Sequence, residues 1–290
     1  MFLDPACIPC IVKQAYNSSN MFTKGNKKLQ LKILKEVCFE IHSISSKNSA
    51  PYFSSKIQTI IEKYVGSTNL YGPIKEKNLK RIKRFYKFVK ILIDESSDKL
   101  ETAMRAAIIA NTVDLGANPD FDLNYEINRI SSSDIDLSAL ASFKKDLHKA
   151  KLILYIGDNY EEALFDKFLL NELKNINTVF AVRSRQVLND ITLDDAKRLN
   201  IHKICRVIES GSTIAGTDLN ECTPEFLDLY KNADIVIAKG QGNYETLIDE
   251  KRSIYFLFKV KCEAIERKSG FPKGKGILLN NQNIKSQKSK

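Results

Sequence analysis

The sequence predicts an α/β fold, in which an amino-terminal all-helical region packs on a carboxy-terminal Rossmann-like, doubly wound and mainly parallel sheet. Residues 26–98 have apolar side chains at helical spacing, whereas after Lys151 short apolar runs alternate with helical segments. Strands that alternate with helices are typical of a parallel sheet covered on both faces. We therefore expect a helical domain over residues 1–148 and a sheet domain over residues 149–290 that ends in a short polar tail.

The composition argues against several classes of protein. The 290 residues contain no long uncharged apolar run and no recognisable signal peptide, so we expect a cytoplasmic location. Six scattered cysteines do not resemble a disulfide-stapled secreted scaffold. The net charge of +10 fits a nucleic-acid partner, an anionic small substrate or a lysine-rich proteome, and does not decide between them.

The amino-terminal half has three helical patterns. Apolar residues at steps of three and four predict helices over residues 29–41, 57–64 and 79–93. The third is strongly basic, but its charges lie mostly opposite the apolar stripe without interleaved aromatic residues, which favours a solvated surface over nucleic-acid binding. Cys7 and Cys10 form a CxxC pair with no second CxxC, which favours a small buried pair over a zinc or redox site.

A segment of small apolar residues, 103–110, predicts a helix that packs closely against a neighbour. It leads into Asn111 and Asp114, which would share a helical face. These two residues either form a polar helix end or point into a cleft beside the sheet. A Ser- and Asp-rich stretch over residues 130–136 is predicted to connect the two halves of the chain.

Five strands are predicted in the carboxy-terminal half. Each is a short apolar run, as expected for a strand that is buried on both faces. The runs cover residues 152–156, 178–182, 204–208, 234–238 and 254–258. The last eleven residues, 280–290, are polar and lysine-rich, and we expect them to form a frayed tail.

Polar side chains follow the first two predicted strands at their carboxyl ends, where open α/β sheets bind ligands. Asp158 and Asn159 follow the first strand, and capping the next helix would require only one of them. Asn189 and Asp190 follow the second strand, outside the capping box predicted for the helix after it. Carboxylate and amide oxygens suit a small divalent cation such as magnesium or manganese.

The other strand ends carry groups that can bind phosphate. The third strand leads into a Gly- and Ser-rich loop that contains Gly211, the fourth leads into the segment KGQGNYE, and the fifth ends near Lys259 and Lys261. Glycine loops bring backbone N–H groups toward phosphate oxygens, and lysine adds a positive charge. Together with the oxygen ligands, these groups predict a metal-assisted phosphate site in the sheet domain.

Competing signatures are absent from the sequence. The segment GQGNYE has Glu245 where a dinucleotide fingerprint requires its third glycine, and GxxxxGK followed by Ser or Thr does not occur. Cys262 and Arg267 are too close in sequence for the phosphate loop of cysteine phosphatases. Three histidines, at positions 42, 148 and 202, form no zinc-site or triad pattern.

The chain resembles the damage-control phosphatase family, long known as domain of unknown function 89, over nearly its full length. The matching stretches are CIPCIVKQA, AAIIANTVDLG, LYIGDNYEEALFDK, VLNDIT, ADIVIAKGQGNYETL and FKVKCE. The cysteine pair is similar to that of the subfamily common in archaea and bacteria. One departure is present, because Glu161 stands where the family usually has the glycine of DNxGE, while Glu162 keeps the acidic residue.

The resemblance implies a metal-dependent phosphatase that acts on small phosphometabolites such as sugar phosphates, nucleotides or damaged phosphorylated cofactors. It implies that Asp158, Asn159 and Asp190 bind one divalent cation (manganese, magnesium, cobalt or nickel) and form the catalytic site. The expected substrate- and phosphate-binding residues are Glu162, Asn111, Asp114, Asn189, Gly211, Lys239, Gly242, Asn243, Glu245 and Lys261. The expected partner is a small phosphorylated metabolite, with no membrane or nucleic-acid role and an undefined oligomeric state.

Two other functional classes stay open from the sequence. A Rossmann-like sheet with glycine loops could bind S-adenosylmethionine, as in a carboxyl methyltransferase, and the fold alone does not refute this. The other class is a non-catalytic binding module that uses the basic helix as its contact surface. Phosphate release that depends on a divalent metal would distinguish the phosphatase from both.

Overall fold

A computed structural model describes residues 3–44, 48–111, 125, 128–131 and 134–283 of the chain. The amino-terminal part is helical, as the sequence predicts. Its helices are α1 (Cys7–Phe22), α2 (Lys27–His42), α3 (Ala50–Val65), α4 (Gly72–Lys83), α5 (Tyr86–Asp94) and α6 (Lys99–Ala110). A short 3-10 turn (Arg129–Ser131) and the two-residue strand β1 (Ile135–Asp136) follow.

Helices α1 to α3 bury their apolar stripes in one cluster, to which Ile11, Ile33, Ile57 and Ile61 contribute. The limits of α3 follow from local chemistry. The Ser49 side chain accepts a hydrogen bond from the third residue of the helix, and the chain leaves the helix at Gly66 with φ of +72°, which a side chain would disfavour.

The basic segment forms two helices, so the prediction of one continuous helix over residues 79–93 is wrong. At Arg84 and Phe85 the backbone N–H groups bond to carbonyls three residues earlier, which closes α4 before α5 begins. Leu79 and Val89 are nevertheless buried in the same core cluster. The apolar residues of both short helices therefore pack in one core, although the helix that the sequence periodicity predicts is interrupted between them.

The carboxy-terminal half alternates strands and helices. The elements are α7 (Leu140–Leu147), β2 (Leu152–Ile156), α8 (Ala163–Glu172), β3 (Asn177–Val182), α9 (Leu193–Arg198), β4 (Arg206–Glu209), α10 (Pro224–Asn232), β5 (Ile235–Lys239), α11 (Gly240–Leu247), β6 (Tyr255–Lys259), α12 (Glu263–Ser269) and β7 (Gly276–Asn280). A second 3-10 turn (Ile201–Lys203) precedes β4. The five predicted strands are confirmed as β2 to β6, within two residues at each end.

In the described part of the chain, seven strands form one sheet in the order β1-β7-β6-β5-β2-β3-β4. All neighbours are parallel except β6 and β7. From β2 the chain builds outward through β3 and β4, and it then returns to place β5 on the other side of β2. The strand order therefore reverses between β2 and β5, which is where ligands bind in sheets of this kind.

Both faces of the sheet are covered, which explains the uninterrupted apolar runs in its central strands. In β2, Ile153 and Tyr155 face a core shared with α5, α6, α8 and α9, whereas Leu154 and Ile156 face a core shared with α10 and α11. The predicted α/β class, with helices on both sides of a mainly parallel sheet, is confirmed.

Strands β1 and β7 were not predicted. β1 has two residues, which are too few for a periodic signal, and it lies in the stretch predicted as a connection. The prediction of a frayed tail from residue 280 is wrong at its start, because Asn280 ends β7 and Asn281 is buried. The Asn281 amide donates hydrogen bonds to the carbonyls of Glu250 and Arg252, both at 3.0 Å.

The division into domains at residues 148 and 149 stays a prediction. Strand β1, from the amino-terminal side, pairs with β7 from the carboxy-terminal side, and one core cluster includes residues from both sides. Within the ranges described above, the helices are too short or too polar to cross a membrane.

Candidate active site

The crevice between the carboxyl ends of β2 and β5 contains Asp158 and Asn159. Two glycines allow the close packing around this pair. A Cβ on Gly157 would lie 2.8 Å from the ring of Phe180, and a Cβ on Gly240 would lie 1.8 Å from Oδ2 of Asp158. Gly240 also has φ of +79°. The glycine that opens the GQGNYE segment therefore accommodates the Asp158 carboxylate.

The loop after β3 lies directly against the loop after β2. Asp158 and Asp190 come from different strand ends, but two backbone hydrogen bonds join the loops that carry them. The Ile191 N–H donates to the Asp158 carbonyl at 2.7 Å, and the Tyr160 N–H donates to the Asn189 carbonyl at 2.9 Å. The structure thus brings the three expected metal ligands together at adjacent strand ends.

A group of amides surrounds the Glu162 carboxylate at the start of α8. Nδ2 of Asn111 lies 3.0 and 2.9 Å from the two Glu162 oxygens and 3.1 Å from Oδ2 of Asp158. Nδ2 of Asn159 lies 2.5 Å from Oε1 of Glu162. Asn111, at the end of α6, is therefore part of the crevice, as one of the two sequence interpretations proposed. Asp114 lies outside the described residues.

Glu161, which departs from the family pattern, fits the loop without strain. Among the described residues other than glycine, positive φ occurs at Lys24, Leu188 and Asn200, so Glu161 adopts a backbone conformation open to any side chain. Its carboxylate is buried and accepts hydrogen bonds from Asn78 and Asn189, both at 2.9 Å. Burial raises the pKa of Glu161 to about 7, although these amides oppose the shift.

Lys239 is fully buried, whereas the predicted phosphate contact would require an accessible ammonium group. Its side chain is 0 % exposed, and Nζ lies 2.9 Å from Oδ1 of Asp166 and 3.6 Å from Oε2 of Glu162. One ammonium group therefore serves two buried carboxylates. Asp166 was not singled out in the sequence, because a single acid on the helix α8 does not differ from a surface charge until the packing is known.

Lys261 and Glu245 are linked through Gln241 in the first turn of α11. The Lys261 N–H donates to Oε1 of Gln241 at 2.9 Å, and Nε2 of Gln241 donates to Oε1 of Glu245 at 2.8 Å. Burial raises the pKa of Glu245 to about 7. Cys7 is also close, because the Glu245 charge contributes, after burial, to a raised pKa of the Cys7 thiol.

The CxxC pair is only half buried, so the prediction of a small buried pair is wrong for one member. Cys7 is buried, whereas Cys10 is exposed. Spacing of three residues at the start of a helix places the two side chains on one side of α1 but at different depths, and only Cys7 reaches the core.

The remaining glycines allow close contact between backbones. Gly211 has φ of +90°, a Cβ there would lie 2.5 Å from the Thr223 nitrogen, and its N–H donates to the Ser184 hydroxyl at 2.7 Å. A Cβ on Gly242 would lie 2.1 Å from the Ala215 carbonyl oxygen. Phosphate contacts by both glycines stay predictions.

Arg183 connects the two sides of the crevice and was missed in the sequence. It is 1 % exposed, and its Nε donates to Oδ2 of Asp190 at 2.7 Å while Nη2 donates to Oδ1 of Asn243 at 3.1 Å. Nδ2 of Asn243 donates in turn to the carbonyls of Lys239 (2.7 Å) and Gly157 (3.2 Å). A charged residue directly after a strand that ends in four apolar residues was the available signal.

The buried charges of the crevice are unbalanced. Among the residues that the structure describes, the carboxylates of Asp158, Glu162, Asp166 and Asp190 are buried near the buried basic groups of Arg183 and Lys239. Burial raises the pKa of Asp158 well above its usual value, and the Glu162 and Asp190 carboxylates raise it further. Burial also raises the pKa of Asp190, against the opposing effect of Arg183.

This donor set fits a divalent cation. With all four carboxyl groups ionised, two units of positive charge would balance the four carboxylates and the two basic groups. Carboxylate and amide oxygens are suitable ligands for a hard cation. Among the residues described, three or more His, Cys, Asp or Glu side chains do not form a metal-binding group. The expected set differs from such a group because its third member is the amide of Asn159.

A polar cavity of about 520 Å³ lies beside the Asp190 loop. Its walls include residues 184–186 and 192–195, which flank Asp190 in the sequence, and Lys75 and Glu76 of α4. Lys75 forms an ion pair of 2.8 Å with Asp195, in the capping box of α9 that was predicted from the sequence. The cavity is lined by residues on both sides of Asp190 in the sequence but by none of the three expected metal ligands.

Fold and site together define an α/β protein with an acidic, oxygen-rich crevice at the point where its strand order reverses. The chain matches the family model of the damage-control phosphatase ARMT1-like domain over residues 3–277, and it belongs to that family. The family expected from the sequence motifs is thereby confirmed.

Individual relatives are similar over almost their whole length. The chain is 30% identical to an uncharacterized protein of Methanocaldococcus jannaschii, with 96% of this chain and 95% of that protein covered. It is 29% identical to a damage-control phosphatase of Pyrococcus horikoshii (95% and 97% covered) and 24% identical to one of Archaeoglobus fulgidus (93% and 96% covered). The crystal structure of a protein of the DUF89 family from Pyrococcus horikoshii superposes with a TM-score of 0.86 at 26% identity, covering 97% of this chain and 99% of that one.

Proposed function

We propose that this protein is a divalent-metal-dependent phosphatase that hydrolyses small phosphometabolites. The chain belongs to a family of phosphatases, and two of its relatives are named damage-control phosphatases. The observation that carries the metal dependence is the excess of buried carboxylates between β2 and β5, where Asp158 has amide partners and a raised pKa. A site of this composition is suited to bind a cation together with a phosphate group.

Asp158, Asn159 and Asp190 are the proposed ligands of one divalent cation, manganese, magnesium, cobalt or nickel. Such a cation supplies charge neutralisation and polarises a phosphoryl oxygen. Arg183 and Asn111 orient two of the ligands, through the 2.7 Å bond to Asp190 and the 3.1 Å bond to Asp158. These bonds hold the oxygens in place before substrate arrives, which is the usual basis of electrostatic catalysis.

Lys261 is the proposed phosphate-binding lysine. It lies close enough to Asp158 for its charge to lower the pKa of that carboxyl, against the effect of burial, so the two residues border the same crevice. Lys239 has a different proposed role, because its buried ammonium is paired with Asp166 and Glu162. We assign to it the orientation of Glu162, which lies between the two amides of Asn111 and Asn159.

The proposed substrate is a small phosphorylated metabolite, and the proposed site of action is the cytoplasm. We assign the cavity beside Asp190 to the organic part of the substrate, to which the phosphate group is attached. All six cysteines are free thiols, as is usual in a reducing compartment.

The function is tested by measuring phosphate release from a panel of phosphometabolites with manganese, magnesium, cobalt and nickel in parallel. We expect release that requires added metal and stops with a chelator. Protein freed of metal that keeps full activity, after contaminating phosphatases are excluded, would contradict the proposal, as would methyl transfer from labelled S-adenosylmethionine without phosphate release.

The phosphate contact is tested by Lys261→Ala, with Lys273→Ala as an exposed control. We expect the Lys261 variant to bind metal with unchanged affinity in calorimetry and to lose kcat/KM by roughly 10²- to 10³-fold, as when other electrostatic donors are removed. The control should keep its activity. Full activity of Lys261→Ala would show that this lysine has been assigned incorrectly.

A further inference from the structure

Helix α3, in the amino-terminal half, contacts two loops of the candidate site with one of its faces. Ser55, Gln58 and Thr59 are spaced at three and four residues and therefore share a face. The Ser55 hydroxyl accepts a hydrogen bond from the Ala215 N–H at 2.9 Å, and the Thr59 hydroxyl accepts one from the Arg185 guanidinium at 3.4 Å. Gln58 makes the most extensive contacts of the three.

The Gln58 side chain is 1 % exposed, and its hydrogen bonds fix its orientation. Oε1 accepts from the Leu188 N–H at 2.6 Å. Nε2 donates to the Gln186 carbonyl at 3.1 Å and to Oε1 of Glu62 at 2.7 Å. One amide therefore binds the backbone on both sides of residue 187, and Glu62 on the same helix holds that amide in place.

Leu188 occupies a backbone conformation that leucine disfavours. Its φ is +47°, and it is the second residue of a turn in which the Asp190 N–H donates to the Val187 carbonyl at 2.9 Å. Glycine, asparagine and aspartate are the usual residues at turn positions with positive φ. A side chain without such a preference stays in this conformation only when surrounding contacts enforce it, and the bond from Leu188 to Gln58 is one such contact.

The turn is held on two sides, with Asp190 between them. On one side, Gln58 binds the backbone of residues 186 and 188. On the other side, the backbones of Asp158 and Tyr160 bond to residues 191 and 189. A shift of the turn away from α3 would move Asp190 relative to Asp158.

We propose that Gln58 is a positioning residue for the metal site, which enforces the left-handed conformation of Leu188 and thereby sets the distance between Asp190 and Asp158. The inference rests on the proposed function, because it takes Asp190 and Asp158 as metal ligands. It gives the amino-terminal helices a role in the chemistry of the sheet edge, although they contribute no ligand themselves.

The test compares Gln58→Ala, Leu188→Gly, the double variant of both, and Gln30→Ala. Gln30 is a matched control, because it is also a buried glutamine and donates to Oδ1 of Asn20 at 2.8 Å, within the α1–α2 pair. Manganese affinity is measured by calorimetry, thermal unfolding is measured without metal, and KM and kcat are measured for one phosphomonoester.

We expect Gln58→Ala to weaken manganese binding by roughly 10- to 100-fold, the range typical of residues that orient metal ligands. Gln30→Ala should bind manganese as wild type does, even if its thermal stability falls. Leu188→Gly alone should bind nearly as wild type, because glycine adopts positive φ without steric strain. The double variant should recover at least several-fold of the lost affinity, since glycine at position 188 adopts the turn conformation without the hydrogen bond to Gln58.

Three results would overturn this role of Gln58. The first is folded Gln58→Ala protein with wild-type manganese affinity. The second is a loss of affinity that Leu188→Gly does not recover, and the third is an equal loss in Gln30→Ala, since either would indicate a general effect on stability. Wild-type protein that binds none of manganese, magnesium, cobalt and nickel and releases no phosphate with any of them would instead refute the proposed function, so the two failures are distinguishable.

Discussion

The loops after β2 and β3 each carry a buried aspartate, but the two aspartates have different partners. Asp190 accepts a charged hydrogen bond of 2.7 Å from Arg183. Asp158 accepts its bond of 3.1 Å from the neutral amide of Asn111, and the nearby carboxylates of Glu162 and Asp190 raise its pKa. Burial is similar in the two loops, so the partner decides how each carboxylate is stabilised.

The two aspartates, although both are proposed ligands of one cation, therefore differ in what they contribute to the stability of the metal-free protein. In the loop after β3, the Asp190 carboxylate is balanced by Arg183 of the same loop. The loop after β2 concentrates negative charge that the described side chains do not balance, which disfavours the metal-free protein and favours binding of a cation. Removing a buried charge should therefore have opposite effects on the stability of the two loops.

The largest expected effect on stability is at Arg183. In metal-free protein, Arg183→Ala leaves Asp190 buried without its partner, and we expect a loss of about 3–5 kcal/mol in the free energy of unfolding, measured with urea. Arg206→Ala is the control, because its ion pair with Glu225 is exposed and should contribute less than ~1 kcal/mol. Equal and small losses in both variants would remove the distinction drawn between the loops.

Asp158→Asn should have the opposite effect on the metal-free protein. Removing one of several crowded buried carboxylates should raise the free energy of unfolding, because burial and the Glu162 and Asp190 carboxylates already raise the pKa of Asp158 and so disfavour its charged form. Manganese affinity should fall by roughly 100-fold or more, since even residues that only orient ligands contribute 10- to 100-fold, and activity should recover partly at high metal. Metal binding as tight as that of wild type would show that the site is misplaced.

The smallest expected effect is a pH dependence at Glu245, a buried carboxyl outside both loops that has Lys261, Cys7 and Cys262 nearby. Its folded pKa of about 7 lies above the ordinary 4.5, so its contribution to stability is complete below pH 4.5 and is lost as the pH rises through 7. Glu161 contributes in the same direction.

We therefore expect metal-free wild-type protein to lose roughly 1–3 kcal/mol of stability between pH 5 and pH 8, and Glu245→Gln to lose less. Glu263→Gln is the control, since Glu263 is exposed. Urea unfolding at several pH values measures the difference. A Glu245→Gln variant with the full wild-type pH dependence would contradict the assignment.

Local sequence patterns were sufficient for the five central strands and for naming the candidate metal ligands. The apolar runs predicted β2 to β6, because strands buried on both faces admit few polar residues. Asp158, Asn159 and Asp190 could be selected because they follow such runs and exceed what helix capping requires. The family could be recognised from the same stretches, and the comparison with its model confirms it.

Tertiary structure alone decided which of these residues act together. Asp166 and Gln58 have no local pattern that distinguishes them from surface residues, and Arg183 has only its place directly after a strand. Their partners Lys239, Leu188 and Asn243 lie in segments that are distant in sequence. The phosphate contact predicted for Lys239 was inferred from its place in the chain, whereas its depth depends on how α8 packs over β5. The physical reason is that the local sequence fixes the position of a residue at the end of a strand, whereas its burial and its charged partners depend on the elements that pack around it.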